Sequence, residues 1–336
     1  MPKVSFVIPV YKVGKYIENS MKSVCSQTFR DFEVVLVDNN TPDDSIEIAE
    51  RVLKEGSINY RVVKQTIQGL PAARNMGIRE AKGDWIVSID PDDTVSSRFL
   101  AELYKCATEN ELDTVFSKYA EVGAETLFDF PEENKEDVTE IYEKDEVLKL
   151  LLVRKLPLMI SNMFFNKAAF VAKGCWFDED VILGADLINL WRILINTDRI
   201  AYINKFLYNH FERPDSLMTA PSWKKIDSNI MGYERLRGYV EKHHSVKLGE
   251  WIYGRAIYAF MSTLCIYGWK DMYKDYLNKY YNKDIHQILQ TFPDAKIQKL
   301  DWILYISPSL FYLLNKALRN PNSAIWKTIA SKLHNK

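Results

Sequence analysis

The sequence predicts an α/β fold with a mostly parallel sheet, flanking helices and a helical appendage at its C-terminal end. Three observations support this prediction. Strand-like and helix-like segments alternate over residues 1–100, the strand-like segments are nearly continuous apolar runs, and the pattern after residue 222 is helical without strand-like alternation. Alternating segments indicate βαβ units, and continuous apolar runs are typical of parallel strands that helices cover on both faces.

The predicted elements follow a regular order. They are a strand VSFVIPV (4–10), a helix KYIENSMKSVCSQ (15–27), a strand FEVVLVD (32–38), a helix from Thr41 to Gly56, a strand YRVVK (60–64), a helix LPAARNMGIREAKG (70–83) and a strand WIVSID (85–90). Thr41 as the N-cap and Pro42 at the first helical position favour a helix start, and Gly56 favours its end. Residues 120–146 are acidic and contain a proline, which predicts a surface segment, whereas the apolar residues 158–174 predict a helix.

The composition is that of an ordinary globular protein. The chain has 336 residues, of which 47% are hydrophobic and 26% charged, and its net charge of -1 argues against a dedicated nucleic-acid binder. Cys25, Cys106, Cys175 and Cys265 lie far apart, so we expect neither a zinc site nor a disulfide framework but a reducing, cytoplasmic setting. The apolar stretch WILYISPSLFYLL has 13 residues and contains Pro308, whereas a helix that spans a bilayer needs about 20 residues.

Carboxylates crowd the end of one predicted strand. The stretch WIVSIDPDDTV contains Asp90, Asp92 and Asp93, and a second strand ends in Asp38. Ligands of parallel sheets bind beyond the carboxyl ends of the strands, and like charges this close need a cation or hydrogen-bond donors beside them. The sequence contains neither GxGxxG after its first strand nor GxxxxGK[ST], so phosphate binding here would depend on a hard ion such as Mg²⁺ or Mn²⁺. The alternative is a solvated turn that caps the next helix.

Four stretches match the motifs of a known family in order and spacing. They are VSFVIPVYKVGKYIENSMKSVCSQTFRDFEVVLVDNNTPDDS, GLPAARNMGIREAKGDWIVSIDPDD, GADLINLWRIL and FLYNHFERPDSLMT. Together they resemble the inverting glycosyltransferase family 2, and the resemblance covers residues 1–220. It implies the GT-A fold, a Rossmann-like and mostly parallel sheet with flanking helices. It also implies an enzyme that moves a sugar from a nucleotide-sugar to an acceptor hydroxyl with inversion.

The resemblance implies a donor site that is built from several strand ends. Pro9 and Tyr11 match positions that flank the nucleotide base, and Asp38 with Asn39 matches an acidic pair that holds the uracil and ribose of a UDP-sugar. The amide of Asn39 replaces the second acid and offers both an acceptor and donors to a pyrimidine edge. The other matches to donor-binding positions are Arg74, Asp90 and Arg213, the last as a clamp on the diphosphate.

The resemblance also implies a metal site and a catalytic base. Asp90 and Asp92 match the family's DxD metal motif, and His210 is a candidate to complete the metal shell. The cofactor would be Mg²⁺ or Mn²⁺, which stabilises the charge on the departing diphosphate. Asp186 matches the family's catalytic base, while Ala185 replaces the Glu that precedes it. The alternatives are a structural role for His210 and an N-cap role for Asp186.

The chain is predicted to have two parts. Residues 1–220 form the glycosyltransferase domain, with a nucleotide-binding half at 1–100 and an acceptor half at 101–220, and residues 221–336 form a helical region. From Lys296 onward, basic residues flank the stretch LDWILYISPSLFYLLNKAL, a pattern that suits a helix in an anionic membrane interface. The alternative is a packed helix pair with solvated lysines.

The predicted function is therefore an inverting glycosyltransferase of bacterial cell-surface polysaccharide or glycan synthesis, with a UDP-sugar favoured as donor. Its predicted partners are the nucleotide-sugar, a glycan or lipid-linked acceptor and an anionic membrane surface, without nucleic acid. We expect the cytoplasm as its location, with peripheral attachment to the inner membrane face as a hypothesis. Asn39 and Ala185 motivate the alternative of a catalytically silent nucleotide-sugar binder. A third hypothesis, a metal-dependent nucleotidyltransferase, is disfavoured by the order of the motifs.

Overall fold

The computed structural model describes residues 1–123, 126, 128, 130, 138–211, 222–266 and 268–318. Four parallel strands form one side of its sheet in the order β3-β2-β1-β4. These strands are β1 (Val4–Val10), β2 (Phe32–Asp38), β3 (Tyr60–Lys64) and β4 (Trp85–Ser88). Every residue of β1 is buried, which is the burial expected of a central parallel strand with helices on both faces.

Three helices connect these strands. They are α1 (Ile17–Cys25), α2 (Ser45–Glu55) and α3 (Leu70–Glu80). The predicted N-cap at Thr41 is wrong, because its hydroxyl accepts the Lys12 N–H at 2.8 Å and donates to Asp43 Oδ1 at 2.6 Å. Thr41 therefore closes a turn before α2, whereas Gly56 is the C-cap, as predicted.

The second side of the sheet is mixed. Its elements are β5 (Thr94–Val95), α4 (Phe99–Glu109), β6 (Thr114–Val122), β7 (Thr139–Glu143), α5 (Lys144–Leu152), β8 (Met163–Asn166), α6 (Lys167–Ala172), α7 (Ala185–Ile195) and β9 (Arg199–Phe211). β6 runs parallel to β9, and β8 lies antiparallel between β4 and β6. The predicted helix at 158–174 is thus wrong over β8, because pairing on both sides of a short apolar run favours a central strand over a helix.

Helices make up the described chain after residue 222. They are α8 (Trp223–His243), α9 (Val246–Ile266), α10 (Lys270–Tyr280), α11 (Lys283–Gln290), α12 (Ala295–Ile306) and α13 (Pro308–Leu318). The chain divides into two compact units between Gly232 and Tyr233. Among the helices described, none is long and apolar enough to span a bilayer. The predicted α/β class with a largely parallel sheet, flanking helices and C-terminal helices is confirmed.

Candidate active site

The carboxyl ends of the parallel strands form one edge of the sheet. Val10 pairs with Asp38 and Asp38 with Lys64, so the first three strands end at the same level. Tyr11 follows β1 and is 41% exposed, whereas Pro9 lies within β1 and is buried. Asp38 is partly buried, and its Oδ1 accepts the Thr41 N–H at 3.0 Å. The structure thus brings Tyr11 and Asp38 to the edge where the sequence predicts a ligand.

Asn39 is buried and binds the loop that leads into α3. Its Nδ2 donates to the carbonyls of Ile67 at 2.7 Å and Gln65 at 3.3 Å. Its Oδ1 accepts from the Gly69 N–H at 2.8 Å and from Gln68 Nε2 at 3.3 Å. These four bonds use both donors and both lone pairs of the amide. Asn39 therefore fixes the wall beside Asp38, and its direct contact with a base stays a prediction.

Arg74 is the central cation of the site. It lies on α3 with a wholly buried side chain, and its Nη2 donates to Asp90 Oδ1 at 2.7 Å. Its Nε donates to Ser88 Oγ at 3.3 Å, and its Nη1 forms an ion pair with Asp186 Oδ1. A buried charge is costly unless it is paired and hydrogen-bonded. The two carboxylates therefore hold the guanidinium in place, and it holds them together.

Asp186 stands in the first turn of α7. Gly184 precedes that helix with a φ of 77°, a left-handed conformation that favours glycine. Ala185 is buried, while the Asp186 side chain keeps 41% of its surface exposed. The carboxylate is thus open to a substrate on one side and paired with Arg74 on the other. Gly184 is the N-cap of α7, so the alternative N-cap role of Asp186 is wrong, and its role as a base stays a prediction.

Asp93 links the loop after β4 to β9. Its carboxylate is wholly buried and accepts from the Tyr208 hydroxyl at 2.5 Å and from the Phe211 N–H at 2.8 Å. The Nδ1 atom of His210 lies 3.2 Å from the Asp93 Oδ2 atom. Tyr208 was not predicted to belong to the site. The alternation of side chains along a strand could have identified Tyr208 from the predicted His210, since residues 208 and 210 share one face of β9.

Electrostatics of this cluster favour positive charge. Burial raises the pKa of Asp90 to about 6, although the Arg74 guanidinium opposes the increase. The hydrogen bond with Asp93 raises the pKa of His210 to about 9. The pKa of Asp90 rises because the group is partly buried, and the pKa of His210 rises because the Asp93 carboxylate lies beside it.

The sequence predicts a metal site at Asp90, Asp92 and His210, and that assignment stays a prediction. Within the described residues, no group of three or more His, Cys, Asp or Glu side chains could hold a metal ion. Mg²⁺ and Mn²⁺ are commonly held by one or two carboxylates together with substrate phosphates. Asp92 is 8% exposed, and His210 contacts the Asp93 carboxylate through one ring nitrogen, as metal-binding histidines usually do.

Asn75 links α3 to the segment before α7. Its Nδ2 donates to the Phe177 carbonyl at 3.0 Å and to Glu179 Oε1 at 2.9 Å, and its Oδ1 accepts the Phe177 N–H at 3.0 Å. From the other side, Arg192 of α7 binds both oxygens of Asp178 at 2.8 and 2.7 Å. The segment that leads to Asp186 is therefore held by both helices. The pairing of Arg192 with Asp178 was not predicted, because no short motif contains both residues.

One predicted donor-binding residue cannot be placed. Arg213 lies outside the described residues. Six of the other predicted residues fall into two groups. Arg74 joins Asp90 and Asp186, while Tyr11, Asp38 and Asn39 lie at the ends of the neighbouring strands.

Comparisons with known proteins identify the family of the chain. Residues 5–173 match the model of glycosyl transferase family 2. The chain is 31% identical over 231 residues to the uncharacterized glycosyltransferase EpsJ of Bacillus subtilis (strain 168), which covers 68% of this chain and 67% of that protein. It is 24% identical over 228 residues to TarP of Staphylococcus aureus (strain N315), a poly(ribitol-phosphate) beta-N-acetylglucosaminyltransferase, with 65% and 66% of the two chains covered.

A solved structure supports the same fold. Residues 1–349 of S. aureus TarS, crystallised with UDP-GlcNAc, superpose with a TM-score of 0.70 at 16% identity and cover 96% of this chain and 92% of that one. At this identity the likeness concerns the fold alone. The family match and the EpsJ relationship carry the assignment: the chain belongs to glycosyl transferase family 2 and is a glycosyltransferase.

Proposed function

We propose that the protein transfers a sugar from a UDP-sugar to an acceptor hydroxyl with inversion at the anomeric carbon. The observation that carries the proposal is the pairing of Arg74 with both Asp90 and Asp186. It joins the acidic end of β4, where a donor diphosphate would lie, to the carboxylate that would activate the acceptor.

The donor would lie along the ends of the parallel strands. Asp38 and Tyr11 stand at this edge, and Asn39 braces the wall beside them. UDP is the nucleotide favoured by the match of Asp38 to the family's uracil-binding acid. The TarS structure with bound UDP-GlcNAc supports the same nucleotide. Arg213 remains the proposed clamp on the diphosphate.

Asp90 and Asp92 would hold a divalent cation, Mg²⁺ or Mn²⁺, with His210 beside them. Such a cation stabilises the negative charge that develops on a departing diphosphate. Asp93 keeps the loop in position through Tyr208 and Phe211.

Asp186 would be the general base. Its carboxylate takes the proton of the acceptor hydroxyl while that oxygen forms a bond to C1 of the sugar. The bond from C1 to the diphosphate breaks on the opposite face, so the anomeric configuration inverts. Arg74 orients Asp186 and places a fixed positive charge between the two halves of the site.

The acceptor would belong to bacterial surface polysaccharide or glycan synthesis. The poly(ribitol-phosphate) acceptor named for the relative TarP supports this class. A lipid-linked acceptor would place the enzyme peripherally at the inner membrane face.

A catalytically silent nucleotide-sugar binder is the second candidate, because Asn39 and Ala185 replace acids of the family pattern. Incubation with UDP-sugars and Mn²⁺ separates the two. We expect slow release of free UDP from the parent, and none from Asp92→Ala or in the presence of a chelator. Asp84→Ala, which removes an exposed carboxylate, is the matched control and should release UDP like the parent. Donor binding without any UDP release would favour the silent binder.

The sugar can be identified with a thermal-shift panel of nucleotide-sugars and Mn²⁺. Stabilisation by a ligand grows with its concentration over Kd, so the true donor should give the largest increase in Tm at equal concentration. A GDP-sugar that exceeds every UDP-sugar would contradict the proposed nucleotide.

A further inference from the structure

The last two described helices expose a group of large apolar side chains. Trp302, Tyr305 and Ile306 of α12 are 57%, 50% and 60% exposed, and Leu310 and Leu313 of α13 are 47% and 61% exposed. We refer to these five residues as the α12–α13 apolar face. Single exposed apolar residues are common, but a contiguous group of this size usually marks an interaction site.

The orientation of α12 is fixed by a buried polar cluster. Asp301 is wholly buried, and its Oδ1 accepts from the Tyr281 hydroxyl at 2.6 Å. Its Oδ2 lies 2.7 Å from His286 Nδ1 and accepts from Gln290 Nε2 at 2.7 Å. Rotation of α12 would remove these bonds from a buried carboxylate, which is costly. The next residue, Trp302, is therefore held outward rather than exposed by a loose helix.

Both charged side chains that α12 exposes are positive. Lys296 and Lys299 are exposed on α12, and Lys299 lies one helical turn before Trp302. Asp301 is the only acidic residue from Ala295 to Lys336, and it is buried. A second copy of the chain, docked by two-fold symmetry, would bring the lysines of both copies into one interface. An anionic lipid surface complements them.

We propose that the α12–α13 apolar face docks into the interface of an anionic bilayer. Trp302 and Tyr305 would lie at the level of the headgroups, where tryptophan and tyrosine are enriched. Ile306, Leu310 and Leu313 would enter the acyl boundary, while Lys296 and Lys299 contact lipid phosphates. This proposal rests on the membrane location given under the proposed function, and it names the residues that would bind the bilayer.

Co-sedimentation of the full chain with vesicles tests the inference. One set of vesicles is phosphatidylcholine alone, and in the other a third of the lipid is phosphatidylglycerol. The measurement needs neither donor nor acceptor, so its outcome is separate from that of the transfer reaction. We expect binding to the anionic vesicles that weakens as salt is added.

Two pairs of substitutions probe the face. Lys296→Gln with Lys299→Gln should weaken binding roughly thirtyfold, and Trp302→Ser with Ile306→Ser at least about tenfold. Leu313→Ser on α13 is a further single test that does not touch α12. The matched controls are Lys270→Gln with Lys274→Gln, an exposed pair on α10, and Val246→Ser, a residue that is 59% exposed on α9.

Two results would overturn the inference. One is that the face variants bind vesicles as tightly as their matched controls do. The other is that the parent fails to bind anionic vesicles. If the parent is then a dimer in light scattering and Trp302→Ser with Ile306→Ser is a monomer, the face joins two copies of the chain instead.

Discussion

Asn75 and Phe177 are joined by two hydrogen bonds of 3.0 Å that use opposite ends of the Asn75 amide, one accepting the Phe177 N–H and one donating to its carbonyl. The Asn75 side chain thus makes the two hydrogen bonds that a neighbouring strand would make with the backbone of Phe177, which is not part of the sheet. Because the segment around Phe177 leads to α7, the position of Asp186 depends on a helix that is distant in sequence.

Asn75→Ala should therefore reduce turnover more than donor affinity. Loss of these buried bonds should lower the free energy of unfolding by about 1–3 kcal/mol, as measured by urea denaturation. Asn75→Asp keeps the acceptor for the Phe177 N–H, but it places a buried negative charge beside the Phe177 carbonyl and Glu179 Oε1, so a loss at least as large as that of Asn75→Ala is expected. Equal losses of donor affinity and turnover would show that Asn75 acts only on overall stability.

Arg74→Met should abolish transfer and destabilise the protein. Removal of the buried cation leaves Asp90 and Asp186 close together without their partner, at a cost of about 3 kcal/mol. Water can reach both carboxylates, which are 25% and 41% exposed, so we do not expect a larger cost. The measurement is chemical denaturation of the purified variant.

The second substitution Asp186→Asn is the control for Arg74→Met. It removes one of the two like charges, so the double variant should recover part of the lost stability while it stays inactive. No recovery in the double variant would mean that Arg74 and Asp186 do not interact in solution.

Asp186→Asn alone should slow transfer by about a hundredfold to ten-thousandfold, the usual contribution of a general base. Donor affinity should stay near that of the parent, because Asp186 is proposed to act on the acceptor hydroxyl. Asp198→Asn, whose side chain is 93% exposed, is the neutral control. The measurements are acceptor-dependent UDP release and donor titration, and a loss confined to donor affinity would assign Asp186 to donor binding.

Gly184→Ala should cost more stability than Gly174→Ala. Both glycines have positive φ values, 77° and 62°, so alanine at either position costs about 1–2 kcal/mol of backbone strain. At Gly184 an added Cβ would also overlap Asn229 Nδ2, which donates to the Leu183 carbonyl at 2.9 Å, whereas at Gly174 the space is open. We expect a lower Tm for both variants, with the larger decrease and a lower turnover for Gly184→Ala; equal Tm values for the two variants would contradict the role of Asn229.

Residues 1–90 could be predicted closely from sequence because local signals there agree with the tertiary structure. The bounds of β1, β2 and β3 match the three apolar or β-branched runs, and each run is bounded by turn residues. The strand β8 was missed because a short apolar run is compatible with a helix or a strand. Its identity depends on antiparallel pairing with β4 and β6, which lie far away in sequence.

The candidate site was predicted only in part. Acids at strand ends indicated where a ligand binds, since parallel strands end at one edge. The contact between Arg74 and Asp186 joins residues 112 positions apart, and no local pattern encodes it. Similarly, no local pattern pairs Asp93 with Tyr208 and Phe211, because these contacts depend on the pairing of β5 with β9, which lie far apart in the chain.

The buried guanidinium of Arg74 limits how this protein can be recombined. A chimaera that joins residues 1–100 of this protein to the following part of another transferase inherits a cation, Arg74, whose second counter-ion comes from the foreign part. Such hybrids should fold and be active only when the foreign part carries a carboxylate at the position of Asp186. Substitution of single residues around α7 should therefore change the acceptor specificity with less loss of stability than replacement of the whole part that follows residue 100.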